Sequence, residues 1–281
     1  MSEVPEWEDP RRVLARHGLA PKRGFSQNFL TARSVVERIV DALALRADEP
    51  VVELGPGLGT LTAALLRAGA RVTAVDMDRD MLRVLEQELG QVPGFRVLEG
   101  DATQVDLAEL GHGARVAVAG NLPYAVTGGI FRRLVSQHVY VDRAVLMVQR
   151  EVRDRLLAEP GTKAYGALTV FTTGVFEVRS VCIVPGGAFH PPPRVESAVV
   201  SLTPRARVID VERPGFARSV RASFEARRKT LRNALLRAWP AELVDRSLER
   251  AGVDGKRRGE TLSPEEFEQL GSAFDALSAA E

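Results

Sequence analysis

Cysteine occurs once in this 281-residue chain, at Cys182. A single thiol excludes a disulfide framework within the chain and suits a reducing compartment. Cys182 stands in an apolar run, where a small buried hydrophobe is the expected role. Histidine is scarce as well: His17, His112, His138 and His190 are scattered and show no metal-ligand spacing. No metal is therefore expected. No stretch approaches 18 uninterrupted apolar residues, so no membrane-spanning helix and no membrane partner are expected. The opening MSEVPEWEDP is acidic and carries no apolar segment of the signal-peptide kind. Excess charge is missing too. The net charge is +1, so a nucleic-acid surface must come from local clustering. Internal repeats and low-complexity tracts are absent. Together these absences predict a soluble, cytoplasmic protein. At 45% hydrophobic and 27% charged residues the composition is ordinary for a globular chain, and the length suits one large domain plus a small one.

What is present is organised around residues 51–60, VVELGPGLGT. An apolar pair, Val51-Val52, meets a carboxylate at Glu53, and glycines follow at positions 55, 57 and 59. A helical pattern begins at Leu61. This reads as strand, tight turn, helix. Glycine permits positive φ and close approach of a ligand to the backbone. A helix opening there points its free N–H groups at whatever lies beside the turn. The stretch predicts a nucleotide-like ligand beside the end of the first strand of an α/β sheet. The dinucleotide fingerprint G-x-G-x-x-G does not fit, because Thr60 stands at its third glycine position. The spacing E-x-G-x-G-x-G resembles motif I of the class I methyltransferases, which bind S-adenosylmethionine. The alternative is a structural turn without a ligand.

Upstream, residues 10–24 carry Arg11, Arg12, Arg16, Lys22 and Arg23 and no acid, a local charge of +5. Such a run is either a solvated face or a phosphate-contacting arm. Phe25 to Leu30 then reads as a capped entry to a helix over 34–45. Downstream, the short strand over 71–75 ends at Asp76, 21 residues after Gly55, where this fold places an acceptor for ribose hydroxyls. Asp78 and Asp80 nearby could compete for that role, but they fall at the start of the next helix and can be its N-terminal charges. A third strand over 95–98 leads to Asp101, placed either for an adenine amino group or as a helix N-cap.

A fourth strand over 115–119 runs into Gly120-Asn121-Leu122-Pro123-Tyr124. The exocyclic amine of adenine is a poor nucleophile, because its lone pair is delocalised into the ring. A pair of acceptors can hold both amine hydrogens and favour a pyramidal nitrogen. The Asn121 side-chain oxygen and the Leu122 carbonyl, or a neighbouring one, are candidates for that pair. Pro123 fixes the backbone, and Tyr124 can stack on a base. A fifth strand covers 143–148 and a helix 151–157. The pattern over 165–175 fits helix or strand. Strands over 178–184 and 195–202 predict a hairpin edge, whose loop carries Phe189 as a second stacking face. His190 is not required as a base, since an amine attacking a sulfonium loses its proton after the methyl has moved.

After Pro204 helical patterns replace strands. Residues 214–237 carry a local charge of +6 on one predicted helix region. Arg221, Arg227, Arg228, Lys229 and Arg232 are the candidate RNA contacts, and arginine suits forked phosphate contacts. A solvated basic helix is the alternative. A helix over 241–251 follows, and Ser263-Pro264 marks another helix entry. Domains are expected at 1–204, binding the cofactor and catalysing, and at 205–281, helical and RNA-binding.

These residues in this order resemble the KsgA-type rRNA adenine dimethyltransferases across nearly the whole chain. The segments that carry the resemblance are Gln27-Asn28-Phe29-Leu30, Glu53 to Gly59, Gly100-Asp101, Asn121 to Tyr124, Phe189 to Ser197 and Phe224 to Leu231. The resemblance implies a class I, Rossmann-like α/β fold, a seven-strand sheet with a small all-helical C-terminal domain. It implies S-adenosylmethionine as methyl donor and four transfers, two to each of two adjacent adenosines near the 3′ end of 16S rRNA. The implied substrate is a pre-formed small (30S) ribosomal subunit, with a role in its biogenesis, and a monomer is expected. Carried over by position, the cofactor pocket uses Asn28, Leu30, Gly55, Asp76, Asp101 and Asn121, with Glu53 and Gly57 in the same pocket. The target base lies between Tyr124 and Phe189. One departure is Asp76, where the family commonly has glutamate; the charge is kept. The rivals are a 23S rRNA dimethyltransferase of the antibiotic-resistance type, an assembly factor without chemistry, and a DNA adenine methyltransferase.

Overall fold

The computed structural model describes residues 4–22 and 27–279. Arg23, Phe25 and Ser26, which fall in the expected basic arm and helix entry, lie outside the described residues. The chain forms two compact units, Met1–Arg153 with Val178–Pro204, and Asp154–Glu177 with Arg205–Glu281.

The first unit runs through α1 (Pro10–Arg16), β1 (Phe29–Leu30), α2 (Arg33–Leu43), β2 (Pro50–Leu54), α3 (Thr60–Arg67), β3 (Arg71–Asp76) and α4 (Arg79–Leu89). It continues through β4 (Phe95–Glu99), α5 (Leu107–Leu110), β5 (Val116–Asn121), α6 (Thr127–Ser136), β6 (Val141–Gln149) and the first residues of α7 (Arg150–Leu156). After α8 (Ala167–Val175) come β7 (Phe176–Val184), β8 (Phe189–His190) and β9 (Ser197–Pro204). Seven strands form one sheet in the order β4-β3-β2-β5-β6-β9-β7. The strands β4, β3, β2, β5 and β6 pair in parallel, and β9 joins β6 antiparallel. The seven-strand sheet expected from the sequence is present.

The local chemistry explains these elements. Residues 51–54 of β2 are buried throughout, as a central parallel strand covered on both faces requires. In α4, Met81, Val84, Leu85 and Leu89 recur at helical spacing and are buried. Each such side chain contributes roughly 1.5–3 kcal/mol by leaving water. Asp78 caps that helix by accepting from the Asp80 N–H at 3.0 Å. Glu49, beside β2, receives two arginines. Burial alone would raise it, but hydrogen bonds from Arg143 and Arg46 bring it down to about 2. A smaller sheet pairs β1 with β8 antiparallel, matching Phe29 to His190 and Leu30 to Phe189. The expected helix entry at 25–30 is therefore corrected at its described end: residues 29–30 are a strand. No side chain caps α2.

The second unit holds α8, then α9 (Pro214–Glu225), α10 (Leu231–Leu235), α11 (Ala241–Ala251) and α12 (Pro264–Ser278). Residues 154–177, expected in the first domain, belong here. Apolar packing is the reason. Tyr165 is buried and donates to the Leu262 carbonyl at 2.8 Å, and Phe171 meets Phe216 edge-on at 5.8 Å. The single helix region expected over 214–237 is broken by a turn at 226–230, and Thr230 caps the helix that follows. The Ser263 hydroxyl accepts from the Glu266 N–H while Glu266 accepts from the Ser263 N–H, a complete capping box. Where α9 meets α12, Gly215 and Gly271 face each other. A Cβ on Gly271 would stand 2.4 Å from the Phe216 nitrogen, so this crossing excludes side chains at that point. Among the described residues no helix is long and apolar enough to cross a membrane.

Candidate active site

β2 and β5 are sheet neighbours, yet β3 and β4 intervene between them in the chain. Connections leaving two such strands diverge, and a crevice opens beyond their carboxyl ends. An open cleft lies there. Its wall comes from the glycine turn, from residues 27–30, from residues 121–124 and from Asp76 at the end of β3. Thus Asn28, Leu30, Glu53, Gly55, Gly57, Asp76, Asn121, Leu122 and Tyr124, scattered through the sequence, meet in one place.

The glycine turn is tight because its neighbours press on it. Gly55 has φ +70° and Gly57 φ +55°. A Cβ on Gly55 would lie 3.3 Å from the Pro123 ring, and one on Gly57 would lie 3.2 Å from the Phe29 ring. Positive φ and close approach both demand glycine there.

Two carboxylates give the cleft its electrostatics. Glu53 is 1% exposed, and neither of its oxygens has a hydrogen-bond partner among the described residues. Burial pushes its carboxyl up to about 8; the nearby Thr62 hydroxyl opposes that rise and the Asp76 charge adds to it. Burial also raises Asp76, whose oxygens accept from the N–H groups of Asp78 at 2.9 Å and Gly57 at 3.3 Å. A cleft whose walls hold two such acids, one of them without a partner, is made for a ligand with positive charge and hydroxyl donors.

At the opposite wall Asn121 Nδ2 donates to the Asn28 carbonyl at 3.1 Å. The amide orientation follows, since a reversed amide would set oxygen against oxygen. Asn121 Oδ1 is left as an acceptor. The Leu122 N–H donates to the Met147 carbonyl at 3.1 Å, which ties this loop to β6. Tyr124 shares a hydrogen bond at 2.6 Å with Ser197 Oγ, and Ser197 is fully buried at the start of β9. That bond pins the ring at its far end. Burial raises the Tyr124 hydroxyl in spite of it.

Other expected residues stand elsewhere. Asp101 Oδ1 accepts from the Thr103 N–H at 2.8 Å and shapes the turn after β4. Phe189 is 4% exposed and packs in the core with Leu30 and Val199, because pairing of β8 with β1 turns its ring inward. Three cations of the basic run at 10–24 are matched by acids from outside it: Arg11 meets Asp9, Arg16 meets Glu8 and Glu88, and Lys22 meets Asp78 and Asp80. In the second unit Arg227 is bound by Glu260, and Arg232 by Asp245. Arg221, Arg228 and Lys229 are exposed. The sequence assigned no individual role to Gln27 or Ser197, and offered Asp78 only as a rival ribose acceptor or a helix-start charge. Gln27 and Ser197 lie inside segments that carry the resemblance, which was their one visible signal.

A sequence profile of the family described as ribosomal RNA adenine dimethylase matches residues 19–275. The ribosomal RNA small subunit methyltransferase A of Myxococcus xanthus (strain DK1622) is 50% identical, over 97% of this chain and 98% of that protein. The protein of the same name from Geobacillus thermodenitrificans (strain NG80-2) is 38% identical, over 95% of each chain. Among solved structures, a dimethyladenosine transferase from Plasmodium falciparum superposes with a TM-score of 0.76 at 25% identity, covering 89% of this chain and 98% of that one. The 23S rRNA methyltransferase ErmE does so with a TM-score of 0.65 at 30% identity, covering 88% of this chain and all of that one.

Proposed function

Because this chain belongs to the ribosomal RNA adenine dimethylase family, we propose that its cleft transfers methyl groups from S-adenosylmethionine to the exocyclic amines of adenosine in small-subunit rRNA. The chain is an rRNA adenine dimethyltransferase. The donor, the particle and the residue roles below are our reading.

The residues present fit the donor. Asp76 supplies acceptor oxygens, Glu53 is a buried carboxyl that ionises when a cation arrives beside it, and the cradle at Gly55 and Gly57 is one that a Cβ would fill. When bound, S-adenosylmethionine supplies a sulfonium methyl group. The chain's own part is to bind, orient and exclude water. Asp76 accepts ribose hydroxyls, and Glu53 stabilises positive charge from within the wall. Asn121 Oδ1 and a backbone carbonyl of 121–124 accept the two amine hydrogens of the target adenosine. Held so, the amine nitrogen keeps its lone pair toward the methyl group, and proximity supplies most of the acceleration. With the donor bound, the amine nitrogen would take its methyl group and then give up one proton, and the acceptors of 121–124 would hold the amine throughout. Tyr124, anchored on Ser197, offers its ring face to an unstacked base. Acceptors already in place stabilise the cationic amine without reorganising. The observation that carries this reading is the Asn121 amide, whose nitrogen is committed to Asn28 and whose oxygen is thereby aimed as an acceptor.

The exposed Arg221, Arg228 and Lys229 of the helical unit support a role in holding RNA phosphates. The ErmE likeness favours a second reading, with 23S rRNA as substrate. Identity of 50% to a small-subunit enzyme supports the first. One experiment separates them: transfer from labelled S-adenosylmethionine to undermethylated small subunits, with large subunits and duplex DNA alongside, followed by mapping. Two adjacent dimethyladenosines near the 3′ end of 16S rRNA are expected. Label confined to the large subunit would overturn the substrate. Asn121→Ala is expected to abolish transfer and retain donor binding; near-normal turnover in that variant would remove Asn121 from its role.

A further inference from the structure

The geometry points to Asp78 as a positioning residue that clamps the arm before β1 and, through Asn28, sets the Asn121 amide. This rests on the reading of the cleft as a methyl-transfer site.

A helix cap needs one carboxylate oxygen and sits comfortably in solvent. Asp78 is 3% exposed, and its cap bond uses a fraction of what it does. Its Oδ1 also accepts from Lys22 Nζ at 2.6 Å. Its Oδ2 accepts from Gln27 Nε2 at 2.7 Å. Gln27 Oε1 in turn accepts from the Lys22 N–H at 2.9 Å. One buried carboxylate thus grips residues that precede it by 56 and 51 positions. The Asp78 N–H donates to Asp76, and Asp76 accepts from Gly57. The line Gly57, Asp76, Asp78, Gln27 joins the glycine turn to the arm.

Gln27 is followed directly by Asn28, whose carbonyl holds Asn121 Nδ2. If Gln27 is released, the chain that leads into that carbonyl loosens on one side, while β1 holds it on the other. The Asn121 amide is then free to turn and present its NH₂ to the target amine, donor against donor. Lys22 does not supply the same hold, since Asp80 also takes its Nζ, at 2.5 Å, and keeps it when Asp78 changes. The effect runs through Gln27.

Polarity exchange tests this. Asp78→Asn keeps the cap, because asparagine caps as well as aspartate. Its single oxygen stays with the Asp80 N–H and Lys22 Nζ, and its NH₂ opposes the Gln27 NH₂. Adding Gln27→Glu restores every bond: the new amide at 78 donates to the new carboxylate at 27, which still accepts from the Lys22 N–H. The measurements are single-turnover methyl transfer at saturating donor and RNA, donor affinity by titration, and thermal melting. For Asp78→Asn a fall in turnover of about tenfold is expected, beyond any change in donor affinity and with melting unchanged. The double variant should return to within about threefold of the parent, a non-additivity that marks contacting residues. Turnover of the single variant within about twofold of the parent would overturn the role, and so would a double variant no faster than the single. Absence of transfer by the unsubstituted chain would overturn the site reading itself, and the positioning role with it.

Discussion

Glu53 keeps both oxygens without a partner among the described residues, while burial pushes its carboxyl up to about 8. An ordinary glutamate titrates near 4.5, the value of the unfolded chain. Between those two pH values the folded protein holds a proton that the unfolded chain has lost, so stability is present at low pH and falls as pH rises toward 8. Thermal melts of the ligand-free protein from pH 5 to 8 should show that decline, and Glu53→Gln should flatten it. A cationic donor reverses the preference, because it favours the ionised form. Its binding near pH 7 should therefore release a proton. Calorimetry in buffers of different ionisation enthalpy reads that release directly, and equal heats in all buffers would contradict it. At this scale the sequence showed a good deal. Glu53, Gly55, Gly57, Asp76 and Asn121 were visible because each stands at a strand end in a short, chemically loaded stretch. Asp78 gripping Gln27, and Ser197 holding Tyr124, were invisible because these contacts close over 51 and 73 residues. The burial of Phe189 was equally hidden, because it comes from a two-residue strand pairing that closes over 159 residues.

Among the elements, the crossing of α9 and α12 is held close by Gly215 and Gly271. Added bulk there meets backbone, which cannot swing aside. Gly271→Ala should lower unfolding free energy by about 1–3 kcal/mol, the usual penalty of overpacking. Denaturant titration should show a lower midpoint at an unchanged slope. A stability equal to the parent would mean the helices can part without loss. Long buried strands and amphipathic helices were legible from pattern, since burial on both faces or on one stripe dictates composition. The break at 226–230 was not, because Arg227, Arg228 and Lys229 continue a plausible helical face and the stop lies in the Thr230 cap. The placement of 154–177 was equally hidden, for it depends on which aromatic rings Tyr165 and Phe171 find.

For the whole molecule a net charge of +1 leaves little long-range attraction to RNA, so the response to salt must come from a few cations. Replacing Arg228 and Lys229 by alanine should reduce the slope of log affinity against log salt by about 0.7–0.9 for each phosphate that is no longer neutralised. Arg232→Ala should change it less, because Asp245 already neutralises that guanidinium at 2.6 Å. Filter binding across a salt series distinguishes the two, and an unchanged slope in the Arg228 and Lys229 variant would place the RNA elsewhere.

The pairing of β1 with β8 also has a consequence in time. The arm that lines the cleft carries residues 27–30, but its partner strand is not made until residue 190. A chain emerging from N to C terminus therefore builds β2, β3 and the glycine turn long before the clasp over them can close. Nascent chains halted short of residue 190 should leave that crevice open on one side, and donor binding should appear late in synthesis rather than grow with length.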